Sequence, residues 1–116
     1  MFQVKRAYRP PEPDDGVRYL VDRVWPRGVT KTALSVVDWV REVAPSDALR
    51  QWFGHDPAKW EEFKQRYFSE LEAKPETWRG LLEAGRRGTV TLIFSARDED
   101  HNQAVALKEF LDQKMG

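Results

Sequence analysis

Residues 89–96 read TVTLIFSA, and this run decides the fold class of the chain. β-Branched and aromatic residues fill it without a single charge, which is typical of a strand buried inside a sheet. The polar residues 98–102 that follow predict a loop capping a last helix, which extends to about Met115. A buried strand leading into a helix indicates an α/β domain.

Two earlier segments supply the other predicted strands. Residues 2–8 mix apolar side chains with Lys5 and Arg6 and then meet two prolines, which cannot continue a paired ladder. Residues 17–25 carry apolar side chains on both faces, as in a central strand covered on both sides. We therefore predict a small, mostly parallel sheet of three strands flanked by helices, with the strand order left open.

Helical patterns fill the chain between the second and third predicted strands. Start and stop signals accompany them, among them Ser46 as a helix cap, Gly54 as a helix end and Asp56 followed by proline. The predicted helices cover about residues 35–43, 46–54, 57–73 and 75–85.

Composition limits the classes of function. A chain of 116 residues suits a single domain, spanning residues 1–116. Basic and acidic residues number 19 each, which argues against general coating of nucleic acid or attraction to acidic membranes. The absence of cysteine excludes disulfides and thiolate chemistry. No apolar run approaches the ~20 residues of a membrane span, so we expect a cytoplasmic protein without a membrane partner.

The loops after the second and third strands are the expected place for a ligand. In open α/β sheets, ligands bind beyond the carboxyl ends of the strands. The first loop, WPRGVTK, offers Trp25, Arg27 and Lys31, with proline stiffening the turn that carries Arg27. A guanidinium on a stiff turn suits a carboxylate or phosphate. The second loop, SARDEDHN, adds Asp98 among other polar residues.

Asp22 and Arg23 stand inside the predicted second strand, on opposite faces. An unpaired charge there would cost several kcal/mol, so each needs a partner. One interpretation is a buried salt-bridge network that only fixes the sheet. The other is an anion site built from Arg6, Arg23, Arg27 and Lys31, in which Asp22 orients the arginines.

Candidates for proton transfer are Asp22, His55 and Asp98. The two histidines lack the spacing of a helical metalloprotease motif, and we expect no metal. The chain contains no GxxxxGK phosphate loop, no GxGxxG after a strand and no GxSxG elbow. The sequence therefore predicts no cofactor, and whether the protein is an enzyme stays open.

The sequence resembles the YeaO-like family of small bacterial proteins, which is classed as a domain of unknown function. The matching stretches are GVRYLVDRVWPRGVTK, LRQWFGHDPAKWEEFKQRYFSEL and VTLIFSARDEDHNQA, together with Trp39 and residues 44–46. Positions that match the family motifs include Arg18, Asp22, Arg23, Trp25, Pro26, Arg27, Gly28, Lys31, His55, Asp56, Phe63, Tyr67, Glu70, Leu71 and Asn102. The resemblance implies a family and no particular reaction.

Two functional hypotheses follow. The first is a small anionic ligand, bearing phosphate or carboxylate, held in an arginine-lined cleft at the carboxyl ends of the strands. The second is an interaction module without catalysis, in which Trp25, Trp52 and their basic neighbours form a patch for a protein or nucleic acid. A ligand site is concave, whereas a patch is flat and apolar with a polar rim.

Overall fold

Four parallel strands form one sheet in the computed structural model, which describes residues 1–116. The strands are β1 (Phe2–Arg6), β2 (Val17–Leu20), β3 (Asp38–Trp39) and β4 (Val90–Phe94), in the spatial order β1-β4-β2-β3. All three pairings are parallel. The carboxyl ends of the strands therefore lie along one edge of the sheet.

The predicted α/β class is confirmed, but the prediction of three strands is wrong. The fourth strand, β3, comes from the segment predicted as a helix at 35–43. Ser35 adopts a left-handed φ of 52° after a short helix, and Val37 N–H then donates to the carbonyl of Arg18 at 2.8 Å. The valines of this segment are β-branched, which favours pairing with β2 over helix formation.

The second strand is shorter than predicted. It ends at Leu20, and Val21 makes one last backbone bond, from its N–H to the carbonyl of Ile93 at 3.1 Å. Asp22 and Arg23 follow the strand instead of lying within it. Their charges are therefore placed at the carboxyl edge of the sheet.

Five α-helices surround the sheet. They are α1 (Lys31–Leu34), α2 (Asp47–Phe53), α3 (Trp60–Glu72), α4 (Arg79–Arg87) and α5 (Gln103–Met115). The helix predicted at 46–54 begins and ends at its signals, Ser46 and Gly54, whereas the starts predicted at Pro57 and Pro75 open short 3-10 helices, Pro57–Lys59 and Pro75–Thr77, that precede the next two α-helices. Ser46 Oγ accepts the Leu49 N–H at 3.2 Å at the start of α2, and Asn102 Oδ1 accepts the Val105 N–H at 3.0 Å at the start of α5. The short α1 was not predicted, although Thr30 caps it: its Oγ1 accepts the Ala33 N–H at 3.1 Å.

The main hydrophobic core lies between the sheet and helices α2 to α5, and a smaller one lies beneath α1. Tyr67 on α3 is completely buried, and its hydroxyl donates to the carbonyl of Val43 at 2.8 Å. Phe2 on β1 packs so tightly against Gly85 on α4 that a Cβ there would come within 2.3 Å of its ring. At the amino end of β1, the sheet and α4 are therefore in close contact.

A buried ionic network lies beside the sheet. Asp15 accepts hydrogen bonds from Lys5 Nζ at 2.7 Å and from Arg18 Nη1 at 2.6 Å, and Arg18 also donates to the carbonyl of Leu34. Burial alone would raise the pKa of Asp15, but the hydrogen bonds from Lys5, the Glu12 amide and Arg18 together lower it. Lys5 and Arg18 thus pair with Asp15 and form no contact with Asp22.

The strand β3, which forms the edge of the sheet beside β2, is only two residues long. On β3, the Trp39 N–H donates to the side chain of Asp38 at 2.8 Å, and the Trp39 indole donates to the carbonyl of Asp22 at 2.7 Å.

None of the helices has the length and apolar character needed to cross a membrane.

Candidate functional site

A cleft of about 590 Å³ opens at the carboxyl ends of β1, β2 and β4. Its apolar wall includes the buried rings of Phe53 and Phe63 together with Ala44 and Pro45. The cationic side chains that line it are all arginines, contributed by separate parts of the chain: Arg6, Arg23, Arg27, Arg50 and Arg97. Asp22 is the only carboxylate among the lining residues. The cleft is therefore concave and mainly cationic.

Arg6 is the last residue of β1, and a backbone carbonyl holds its side chain. Its Nε donates to the carbonyl of Ala96 at 2.9 Å, in the segment after β4. The guanidinium also lies over the ring of Tyr8, 4.9 Å from the centroid. These contacts fix the side chain without neutralising its charge, because neither partner is an anion.

Arg23 and Arg50 share one exposed acid. Arg23 Nε lies 3.3 Å from Asp47 Oδ1, and Arg50 Nη2 lies 2.8 Å from the same oxygen. All three side chains are partly exposed, so this contact is screened by solvent. One carboxylate between two guanidiniums leaves the local charge positive.

Arg27 and Arg97 complete the cationic lining, and both are exposed. Neither guanidinium forms an ion pair or hydrogen bond within the protein. Arg27 stands on an ordered turn, since the Tyr8 hydroxyl donates to its carbonyl at 3.1 Å and the Trp25 indole donates to Val29 O at 2.6 Å. Gly28, with φ of 78°, completes that turn. The position of Arg27 is thus set by its backbone.

Asp22 is buried in the cleft that the five arginines line, with 7% of its surface exposed. Its Oδ2 accepts the Ser95 N–H at 2.9 Å and the Ser95 hydroxyl at 2.6 Å. Its Oδ1 accepts the side-chain amide of Gln103 at the start of α5. Burial raises the pKa of Asp22, and these neutral hydrogen bonds and the charge of Arg50 only partly oppose it. Asp22 forms no ion pair with an arginine, contrary to our expectation that it would hold one in place.

His55 also lines the cleft. It is exposed, follows the Gly54 that ends α2 and adopts a left-handed φ of 57°. Its ring lies 6.3 Å from that of Phe53. The left-handed backbone turns this residue out of the helical path between α2 and the turn that precedes α3.

Three residues singled out in the sequence lie outside the cleft lining. Lys31 is exposed at the first position of α1. Asp98 accepts hydrogen bonds from the amides of Asp100 and His101 and from the His101 ring, and these contacts lower its pKa. Trp52 is covered by two cations, with Arg66 4.4 Å and Lys59 5.2 Å from its ring centroid. By contrast, Arg6, Asp22, Arg23, Trp25, Arg27 and His55 do line the cleft together.

The comparison with known families identifies the chain. The model of the family DUF488-N3i, described as the "Inactive DUF488-N3 subclade", matches residues 1–116. The chain belongs to this family.

Relatives of this DUF488-N3i protein are of the same size. "Uncharacterized protein YeaO" of Escherichia coli (strain K12) is 37% identical over 110 residues, which cover 95% of this chain and 96% of the relative. "Uncharacterized protein Rv3073c" of Mycobacterium tuberculosis (strain ATCC 25618 / H37Rv) is likewise 37% identical over 110 residues, covering 95% and 92%. No solved structure matches significantly. The predicted YeaO-like relationship is therefore confirmed.

Sequence reasoning missed two polar residues of this DUF488-N3i cleft. Arg50 lies on α2, and only the packing of α2 beside the sheet brings it to the carboxyl edge. Gln103 directly follows the cap residue Asn102. Because a helix that follows a parallel strand starts at the carboxyl edge, this position offered a signal that could have been used. No group of three or more histidine and acidic side chains is placed to hold a metal ion.

Proposed function

We propose that this protein binds a small anion, bearing phosphate or carboxylate, in the arginine-lined cleft. The observation that carries the proposal is the convergence of five arginines on one concave site with a single carboxylate. Guanidinium groups match the oxygens of phosphate and carboxylate with paired N–H donors. An anion there would neutralise charge that the protein itself leaves unpaired.

The roles of the arginines follow from their contacts. Arg6 is fixed by the carbonyl of Ala96 and keeps its full charge, so it supplies a preorganised cation at the end of β1. Arg27 stands on an ordered turn with a free guanidinium, and it contacts the anion from the rim. Arg23 adds charge from the end of β2. Trp25, whose indole is tied to Val29, forms part of the wall.

The protein acts in this proposal by binding and not by turnover. The family description calls the subclade inactive. The Ser95 hydroxyl donates to Asp22 without a histidine between them, so the pair lacks the oriented base that activates a serine nucleophile. His55 is exposed at the cleft, and Asp98 lies outside it. Neither is needed to hold an anion.

The alternative, an interaction module with an aromatic and basic patch, has less support. Trp25 lines the cleft and packs edge-on against Trp39, with centroids 5.5 Å apart. Trp52 is not among the cleft residues, and cations cover its ring. The two tryptophans therefore do not combine into one flat apolar surface. A nucleic-acid partner would predict binding that weakens steeply with salt.

A ligand screen tests the proposal. Thermal unfolding of the wild type is measured with inorganic phosphate, nucleotides, carboxylates and divalent metals, and the active compounds are repeated on Arg27→Ala. A ligand that binds only the folded state raises the unfolding temperature by mass action. We expect phosphate- or carboxylate-bearing compounds to stabilise the wild type, with about tenfold weaker affinity for the variant.

Arg87→Ala is the matched control. Arg87 is an exposed arginine near the amino end of β4, at the edge of the sheet opposite the cleft. Its removal changes net charge by the same amount and should leave anion affinity unchanged. Equal losses in the two variants, or no stabilisation of the wild type by any anion, would refute an anion site in the cleft.

A further inference from the structure

Asp22 leaves one acceptor position unused within the cleft. A carboxylate has about four lone-pair positions, two on each oxygen. Oδ2 uses both for Ser95, through the amide N–H and the hydroxyl. Oδ1 accepts only the side-chain amide of Gln103. The residue is 7% exposed and lines the cleft, so the cleft is where a further donor can reach it.

The carboxylate of Asp22 is also the one feature of the cleft that opposes an anion. It has no cationic partner in contact, although five arginines line the same cleft. A ligand with only negatively charged oxygens would bring like charges together at this point. A ligand that also carries an N–H or O–H group would donate to Asp22 while its anionic group meets the arginines.

We propose that the cleft selects small anions that also carry a hydrogen-bond donor, a hydroxyl or an ammonium group, and that Asp22 Oδ1 accepts from that donor. This inference rests on the proposed function and adds the chemical class of the ligand. A buried acceptor without its donor is costly, and for this reason polar sites reject analogues that lack the matching group. Asp22 is then the residue that sets specificity, and the arginines supply affinity.

The desolvation of Asp22 supports this role. Burial raises its pKa, and the hydrogen bonds from Ser95 and Gln103 and the charge of Arg50 only partly compensate. A partly uncompensated carboxylate gains from one more donor, especially a charged one. An ammonium group on the ligand would give the larger gain, because it would also replace the missing counter-charge.

The test compares anions that differ only in the donor. Dissociation constants are measured by NMR titration for ethyl phosphate against 2-hydroxyethyl phosphate, and for propionate against lactate. We expect the wild type to bind the hydroxyl-bearing member of each pair about tenfold more tightly. Equal affinities within both pairs would overturn the inference.

Asp22→Asn should reverse part of this preference. The amide keeps the shape of the side chain and can still accept from Ser95, while Gln103 can rotate its own amide to accept from the new NH₂ group. Loss of the negative charge should tighten ethyl phosphate binding, and loss of the acceptor should weaken 2-hydroxyethyl phosphate relative to it. Circular dichroism and the NMR spectrum verify that the variant is folded. Unchanged ratios in the folded variant would contradict a specificity role.

Asp47→Asn is the matched charge control. Asp47 is exposed, pairs with Arg23 and Arg50, and is not among the cleft residues. Removing it should tighten both members of each pair to the same degree and leave their ratio unchanged. If Asp22→Asn also shifts both members equally, Asp22 acts only through its charge, and the inference fails while the anion site stands. If no anion binds the wild type, the proposed function fails first.

Discussion

The carboxylate of Asp22 is bound twice by Ser95, at 2.9 Å from its amide N–H and at 2.6 Å from its hydroxyl. Asp22 follows β2 and Ser95 follows β4, and these two strands are neighbours in the sheet. The contact therefore continues the connection between the strands beyond the point where their backbone ladder ends. It also places a desolvated acid at the base of the cleft.

The raised pKa of Asp22 predicts a pH dependence of stability. An acid with a higher pKa in the folded than in the unfolded state stabilises the fold while protonated, and this contribution is lost as the pH rises through the folded-state pKa. The free energy of unfolding of Asp22→Asn, relative to wild type, should therefore increase as the pH rises from the usual value of 3.8. Urea denaturation at several pH values measures this difference. Parallel profiles for the two proteins would contradict the shift.

Asp15→Asn should be strongly destabilising, because it leaves Arg18 as a buried cation without its partner. Arg18 is 4% exposed and Asp15 2%, and breaking a buried pair in this way costs about 3–5 kcal/mol. Urea denaturation near neutral pH gives the free energy of unfolding. The lowered pKa of Asp15 means that its contribution is present above pH 3.8 and is lost as the pH falls below that value.

Asp112→Asn provides the matched comparison for Asp15. Its carboxylate accepts from Lys108 Nζ at 2.7 Å on the surface of α5, with both side chains partly exposed. An exposed ion pair between residues four positions apart on a helix contributes about 0.3–0.5 kcal/mol to stability. Similar losses in the free energy of unfolding for the two variants would show that the Asp15 network contributes no more than an exposed ion pair.

His55→Gly should stabilise the fold by relieving the left-handed backbone at this position. A non-glycine residue at positive φ carries a steric cost that glycine avoids, so the variant should gain about 0.5–1 kcal/mol after the entropy of glycine is included. His55→Ala keeps the left-handed conformation and loses the ring, so it should show no such gain. Thermal unfolding of both variants tests this. A loss of stability in His55→Gly would mean that the contact with Phe53 outweighs the backbone cost.

Two glycines of α4 should respond with opposite signs to alanine. At Gly85 an added methyl would meet the Phe2 ring at 2.3 Å, whereas at Gly80 nothing lies within 4 Å. Gly85→Ala should destabilise by about 1–3 kcal/mol through overpacking, and Gly80→Ala should stabilise by about 0.5–1 kcal/mol through helix propensity. Denaturation of the pair measures both, and a shared sign would contradict the tight packing of β1 on α4.

The sequence predicted the parts of the fold that strong local signals determine. The strand at 90–94 is buried throughout, and its unbroken apolar pattern reflects that burial. The caps at Ser46 and Asn102 were likewise recognisable because each accepts a backbone N–H within its own turn. The two-residue strand β3 was missed, because its pairing with β2 is a long-range contact and the flanking Val36, Val40 and Val43 follow a helical spacing.

At the candidate site, too, residues placed by local position in the chain were predictable, and those placed by long-range packing were not. Arg6, Arg23 and Arg27 were predictable because each lies near the end of a strand, where the sheet topology alone brings residues together. Arg50 depends on how α2 packs. The hydrogen bonding of Asp22 was predicted incorrectly, because the sequence indicated a strand interior where the structure has a strand end.

The hydrogen bond from the Trp39 N–H to the Asp38 side chain affects how readily two copies of the molecule can associate. An unpaired strand edge can recruit the strand of another chain and begin aggregation. On β3, however, the backbone N–H of Trp39 is already satisfied by the Asp38 side chain, and the strand offers only two residues with an acid among them. This edge therefore gives an incoming strand little to pair with and helps keep the sheet from growing between molecules.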